Sequence, residues 1–178
     1  IGYRIFTRFE TVSGRRLRGL RILKSQTDSR RMVISGNLLT HYNYHHLPIE
    51  ADNTPQELSV HAKGLDAVFH KKENPSLPAG SVFKDWREAR MYAGPLPFTF
   101  DYEKQTNSNV VIEGERENWE PRPAEAEATT SFFQDPMFGG ASAVLSSAFI
   151  IENVPYMWKP GRREPCGPAA GSRNENAK

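Results

Sequence analysis

A chain of 178 residues, 38% hydrophobic and 25% charged, suits one ordinary globular domain with room for a sizeable core. A formal net charge of +2 is too small to argue for nucleic acid, and no apolar run approaches the ~20 residues that span a bilayer. A lone cysteine, Cys166, excludes an intramolecular disulfide framework and a cysteine zinc site, and points to a reducing, cytoplasmic setting.

The first segment, "IGYRIFTRFE", alternates strictly, with Ile1, Tyr3, Ile5, Thr7 and Phe9 on one face, and reads as a strand already under way. That leaves room for a native segment ahead of it, and nothing at the start reads as a signal peptide. A turn at Ser13 and Gly14 leads into "GRRLRGLRILKS", so a hairpin is expected. Arginines crowd this region (Arg15, Arg16, Arg18, Arg21, Arg30, Arg31), while glutamates crowd residues 113 to 127. Aromatic side chains do not interleave with the arginines as stacking platforms would, so no nucleic-acid partner is expected.

Thr27 or Asp28 can cap a helix over residues 28 to 40, followed by "HYNYHH" and extended "YHHLPIEAD". "ELSVHAKG" and "DAVFHKK" suggest an antiparallel pair about Gly64. Ser81 is expected to cap a second helix whose Val82, Trp86, Ala89 and Tyr92 form a core stripe. "FTFDYEKQ" and "NVVIEGERENW" flank turn-forming "TNSN"; "AEAEATTSFF" follows, then flexible "MFGGAS" and the strand candidate "AVLSSAFIIENV". Beyond residue 160 there is almost nothing to bury, so residues 161 to 178 read as a disordered tail. The expectation is a β-rich α+β domain over residues 1 to 160: an antiparallel barrel-like or strongly curved sheet with two short helices, able to enclose a cavity.

The order strand, helix, Gly, aromatic-polar strand in "RGLRILKSQTDSRRMVISGNLLTHYNYHHLPIEAD" resembles the acetoacetate decarboxylase-like superfamily. Its decarboxylases carry a segment of the form Gly-Arg-Glu-Leu-x-Gly-Tyr-Pro-Lys-Lys, whose lysine pair supplies a Schiff-base nucleophile. Gly36, Leu39 and Tyr42 fit that frame; Asn37, Leu38 and Asn43 replace its Arg, Glu and Pro, and Tyr44 and His45 stand at the lysines. Asn43-Tyr44-His45 is more similar to the Pro-Tyr-His of a sister group of the superfamily. "ENWEPRPAEAEA" and "AFIIENVPYMWKPG" extend the looser resemblance over residues 1 to 160. The resemblance implies an internal pocket, and Tyr44 and His45 cannot form an imine.

On an extended segment His41, Asn43 and His45 share one side, and Tyr42, Tyr44 and His46 the other. Imidazole beside phenol can bind a carboxylate or carbonyl, or move a proton, which marks Tyr44, His45 and His41 as candidate catalytic residues. Tyr42, Asn43 and His46 are candidate ligand contacts, as are Arg18 and Arg21, which lie on opposite faces of their strand so that one could anchor an anion from inside. Two other readings stand beside this one: a structural helix–strand junction, and a metal site. For the second, His41 and His45 lack a carboxylate at recognisable spacing, so neither metal nor cofactor is assigned. Lys71 and Lys72 border a Pro-rich loop, where solvated lysines are the ordinary outcome. The expected partner is a small organic molecule such as a carboxylic or keto acid, with no membrane, and with self-association into a homo-oligomer left open. The alternative is a non-enzymatic interaction module using the basic N-terminal face.

Overall fold

The structure is a computed structural model that describes residues 1–40, 44–94 and 96–166. The N-terminal alternation forms strand β1 (Gly2–Glu10), which pairs antiparallel with β2 (Arg16–Thr27). Gly14, at φ 80°, supplies the left-handed residue of the hairpin turn, its N–H donating to the Thr11 carbonyl at 2.9 Å. Helix α1 (Arg30–Thr40) falls within the expected span and leads into the short strand β3 (Tyr44–His46).

Next come β4 (Ile49–Asn53), β5 (Glu57–Ala62) and β6 (Leu65–His70), the last two turning at Gly64, φ 83°. Helix α2 is shorter and later than expected, Trp86–Arg90, and its cap is Asp85 rather than Ser81. Asp85 accepts from the Glu88 N–H at 2.8 Å while Glu88 accepts from the Lys84 N–H at 2.9 Å, a near-reciprocal cap that fixes the helix start. The expected core stripe is therefore broken. Ala89 is fully buried, but Val82 lies outside the helix, and both it and Tyr92 are exposed.

Strands β7 (Phe98–Glu103) and β8 (Ser108–Arg116) follow, then β9 (Arg122–Pro123), β10 (Glu125–Thr130), two 3-10 turns (Phe132–Gln134 and Pro136–Phe138), β11 (Phe149–Ile150), β12 (Tyr156–Trp158) and β13 (Arg162–Pro165). The segment "AVLSSAFIIENV" contributes only the two residues of β11. Residues 162–165, tail-like in composition, instead add a strand to β8, held by main-chain pairing and by the Arg163–Glu103 ion pair at 2.9 Å rather than by apolar burial.

The chain divides into two compact units, residues 1–46, 96–115 and 156–178 in the first and residues 47–95 and 116–155 in the second. The first unit holds a seven-stranded sheet of order β1-β2-β7-β8-β12, with β13 also on β8 and β3 on β2. This sheet is mixed, where an antiparallel one was expected: β2 runs parallel to both β3 and β7. Parallel neighbours need long crossovers, and the chain between β2 and β7 supplies one by building much of the second unit on the way. The sheet is filled on both sides, by Leu17, Phe100 and Val111 with Phe9 and Phe98 on one and by Ile22, Val110 and Ile112 with Tyr44 and Trp158 on the other. Among the described residues neither large sheet closes into a barrel by continuous pairing. A single bridge, Thr11 to Cys166, joins the end of β1 to the residue after β13. The second unit holds the antiparallel sheet β10-β6-β5-β4 and the pair β11-β9. No helix among the described residues is long and apolar enough to cross a membrane.

Candidate functional site

Asn37, in the last turns of α1, holds β3 by its main chain: its Nδ2 donates to the Tyr44 carbonyl at 3.1 Å and its Oδ1 accepts from the Tyr44 N–H at 2.5 Å. Gly36 lies so close to the tyrosine ring that a Cβ there would sit 2.6 Å from Tyr44 Cδ2. These two residues, together with the Ser25–Tyr44 register on β2, fix where the phenol stands. The ring packs against Ile22, Val110 and Ile112, and burial pushes its pKa above the usual phenol value. Arg4 offsets part of that rise, which puts its guanidinium within electrostatic reach of the phenol.

Register explains the company Arg4 keeps. It stands opposite Ile22, Phe6 opposite Leu20, and Arg8 opposite Arg18, so these six residues share one side of the hairpin. Leu20 is then beside Thr99, and Thr99 opposite Ile112, which continues the same side across the sheet into its buried centre. The result is an apolar floor bordered by guanidinium groups, with a neutral phenol at one end. Arg4, Arg8 and Arg18 make no ion pair among the described residues, whereas Arg16 at the hairpin end reaches Glu10 at 3.1 Å.

Of the residues marked by the sequence, His41, Tyr42 and Asn43 lie outside the described residues. Tyr44 is half-buried in the cluster, while His45 is exposed. His46 is exposed too, its Nε2 donating to the Asp28 carbonyl at 3.1 Å, a tie to the approach of α1. Arg18 and Arg21 face opposite sides, as their spacing requires, and both are exposed. Arg4 is missing from the sequence-derived candidates. Its signal was its position, out of phase with Tyr3 and Ile5 on β1, but only the pairing partner shows that this phase meets Ile22 and Tyr44. No group of three or more His, Cys, Asp or Glu side chains gathers at metal-binding range among the described residues; His61 instead lies 3.2 Å from Asp66 and His70 3.2 Å from Glu57, across β5 and β6. No family model, curated protein or solved structure matches the chain.

Proposed function

We propose that the protein binds a small organic molecule bearing a carboxylate or carbonyl on the Tyr44 side of a strongly curved, barrel-like sheet, without Schiff-base lysine chemistry. The observation that carries this reading is the half-buried phenol of Tyr44 standing over Ile22 and Ile112 within reach of the Arg4 charge. A neutral phenol donates a hydrogen bond, a guanidinium donates two parallel hydrogen bonds to a carboxylate, and an apolar floor strengthens both. The same phenol can donate a proton toward a carbonyl oxygen, so acid–base turnover lies within its chemistry. The Thr11–Cys166 bridge supports the curvature, and the motifs around Gly36 and Tyr44 support membership of the acetoacetate decarboxylase-like superfamily.

Titration with acetoacetate tests the reading. Tyr44→Phe and Arg4→Gln should each weaken binding about tenfold or more, equivalent to roughly 1 to 3 kcal/mol for a polar group left without its partner, with little change in melting temperature. Lost stability with unchanged affinity would mean that Tyr44 is only a structural junction. A second reading, docking of an acidic partner on the basic face, is favoured by the Arg8–Arg18 pair of like charges in register. Docking of an acidic macromolecule on several exposed arginines weakens steeply with salt, while a single carboxylate on the exposed Arg4 weakens more gently and keeps its dependence on Tyr44.

A further inference from the structure

The second unit contains a cleft of its own, about 370 Å³, lined by Lys71, Lys72, Arg122 and Glu152 with Pro75, Pro123 and Ile150 as apolar walls and Glu73 among the lining residues. The elements explain the gathering. Lys71 follows directly on β6, and β9 and β11 place Arg122 opposite Ile150, two residues before Glu152. The Lys71 ammonium is held still, donating to Asn53 Oδ1 at 2.6 Å and to the Thr54 carbonyl at 2.8 Å, with its side chain only 20% exposed. An ammonium has three protons, and the third finds no acceptor within hydrogen-bond reach among the described residues: Glu152 Oε1, the nearest carboxylate oxygen, is 3.6 Å away. The other oxygen of Glu152 accepts from Arg122 Nη2 at 2.7 Å.

Glu152 thus lies where the carboxylate of a ligand would lie, between a fixed ammonium and a guanidinium, but too far from the ammonium to satisfy it. We propose that this cleft is a binding site for a small monocarboxylate with an apolar tail, whose carboxylate displaces Glu152 from between Lys71 and Arg122 while the tail lies against Ile150, Pro75 and Pro123. A volume of this size takes a molecule at the small end of ordinary ligands. Lys72 is not part of the anion seat, because it is engaged by Glu125, which also accepts from the Ser76 N–H at 2.9 Å. Glu73 sets the charge limit: a second carboxylate on the ligand would add a like charge beside it. The site is independent of the Tyr44 face and uses none of its residues.

Calorimetric titration of the full chain with 4-methylpentanoate tests the proposal, with 4-methylpentan-1-ol and adipate as controls. The monocarboxylate should bind more tightly than the alcohol and the dicarboxylate. Arg122→Gln, at a side chain 73% exposed, should preserve the melting temperature and weaken binding about tenfold, whereas Glu152→Gln should tighten it several-fold by removing the internal competitor. Tyr44→Phe should leave this affinity unchanged. The proposal fails if the acid does not bind, if acid and alcohol bind alike, if neither Arg122→Gln nor Glu152→Gln alters the affinity, or if Tyr44→Phe abolishes the binding.

Discussion

Cations on the β1–β2 hairpin and cations in the second unit differ in their company. Around the cleft each has an acidic neighbour: Lys71 and Arg122 share Glu152, and Lys72 has Glu125. On the hairpin, Arg8 stands in register with Arg18, and neither they nor Arg4 make an ion pair among the described residues. Like charges directly opposed across a sheet cost on the order of a few tenths to 1 kcal/mol, and the Arg16–Glu10 pair at the same hairpin's end shows how easily an acid could have been set there. Paired cations cancel their own field. Unpaired ones project it, so the hairpin face carries the longer-ranged positive field, whereas at the proposed cleft site a carboxylate would first have to displace Glu152.

The contrast breaks most sharply where the phenol is held. Asn37→Leu removes both side-chain bonds to the Tyr44 main chain and should lower unfolding free energy by about 2 to 3 kcal/mol in urea titrations. Gly36→Ala should cost roughly 1 to 3 kcal/mol, because the added methyl meets the Tyr44 ring at 2.6 Å and either the ring or the helix must move. Arg122→Gln, by comparison, should change stability by well under about 1 kcal/mol, as expected of an exposed pair. A large loss at Arg122 with a small one at Asn37 would reverse the assignment of the structural clamp to the first unit.

A smaller effect concerns ionisation. Burial raises the Tyr44 pKa and Arg4 opposes it, so Arg4→Gln should move the phenol further up, read by ultraviolet titration of tyrosinate. No movement would separate Arg4 from the site. Reduction with borohydride in the presence of acetoacetate should leave no lysine-linked adduct, and an adduct at Lys63, Lys71 or Lys72 would restore Schiff-base chemistry.

How much of this was legible in the sequence differs between the same two regions. The hairpin and the β5–β6 pair follow from alternation and from Gly14 and Gly64, all local signals, whereas α1 falls within its expected span but is capped by Ser29, whose Oγ accepts from the Met32 N–H at 3.3 Å, and not by Thr27 or Asp28. Tyr44 stood out by local density. Arg4 did not, because its role depends on meeting Ile22 across a register that shifts between Tyr3 and Arg4, and no local pattern encodes a bulge of that kind. The cleft was illegible for the same reason: Lys71, Arg122 and Glu152 are far apart in the chain and meet only through β6, β9 and β11. Helix α2 starts later than the apolar stripe of Val82, Trp86, Ala89 and Tyr92 implies, because that three-to-four-residue spacing carries no information about the polar pair Asp85 and Glu88 that sets its start. The parallel pairing of β7 on β2 was hidden by distance along the chain.

The smallest expected effect lies at the edge of the cleft and has a definite sign. Lys72 holds the Glu125 carboxyl below its ordinary value of 4.5, first through its side-chain hydrogen bond, with the Ser76 N–H adding to it. A carboxyl whose pKa is lower folded than unfolded binds fewer protons in the native state, so the unfolded chain gains protons first as the solution is acidified. The stabilisation is therefore complete above the unfolded value and disappears as pH falls through the folded one. Lys72→Met should remove part of it: the stability difference from the parent protein should be present near pH 7, shrink on the acid side of 4.5, and be smaller in high salt because the pair is exposed. A difference that stays constant down to low pH would mean that Lys72 contributes through its methylene stem rather than its charge. The Arg8–Arg18 pair contains no carboxyl, so Arg8→Gln should show no such acid limb, only a small gain in stability that fades with salt.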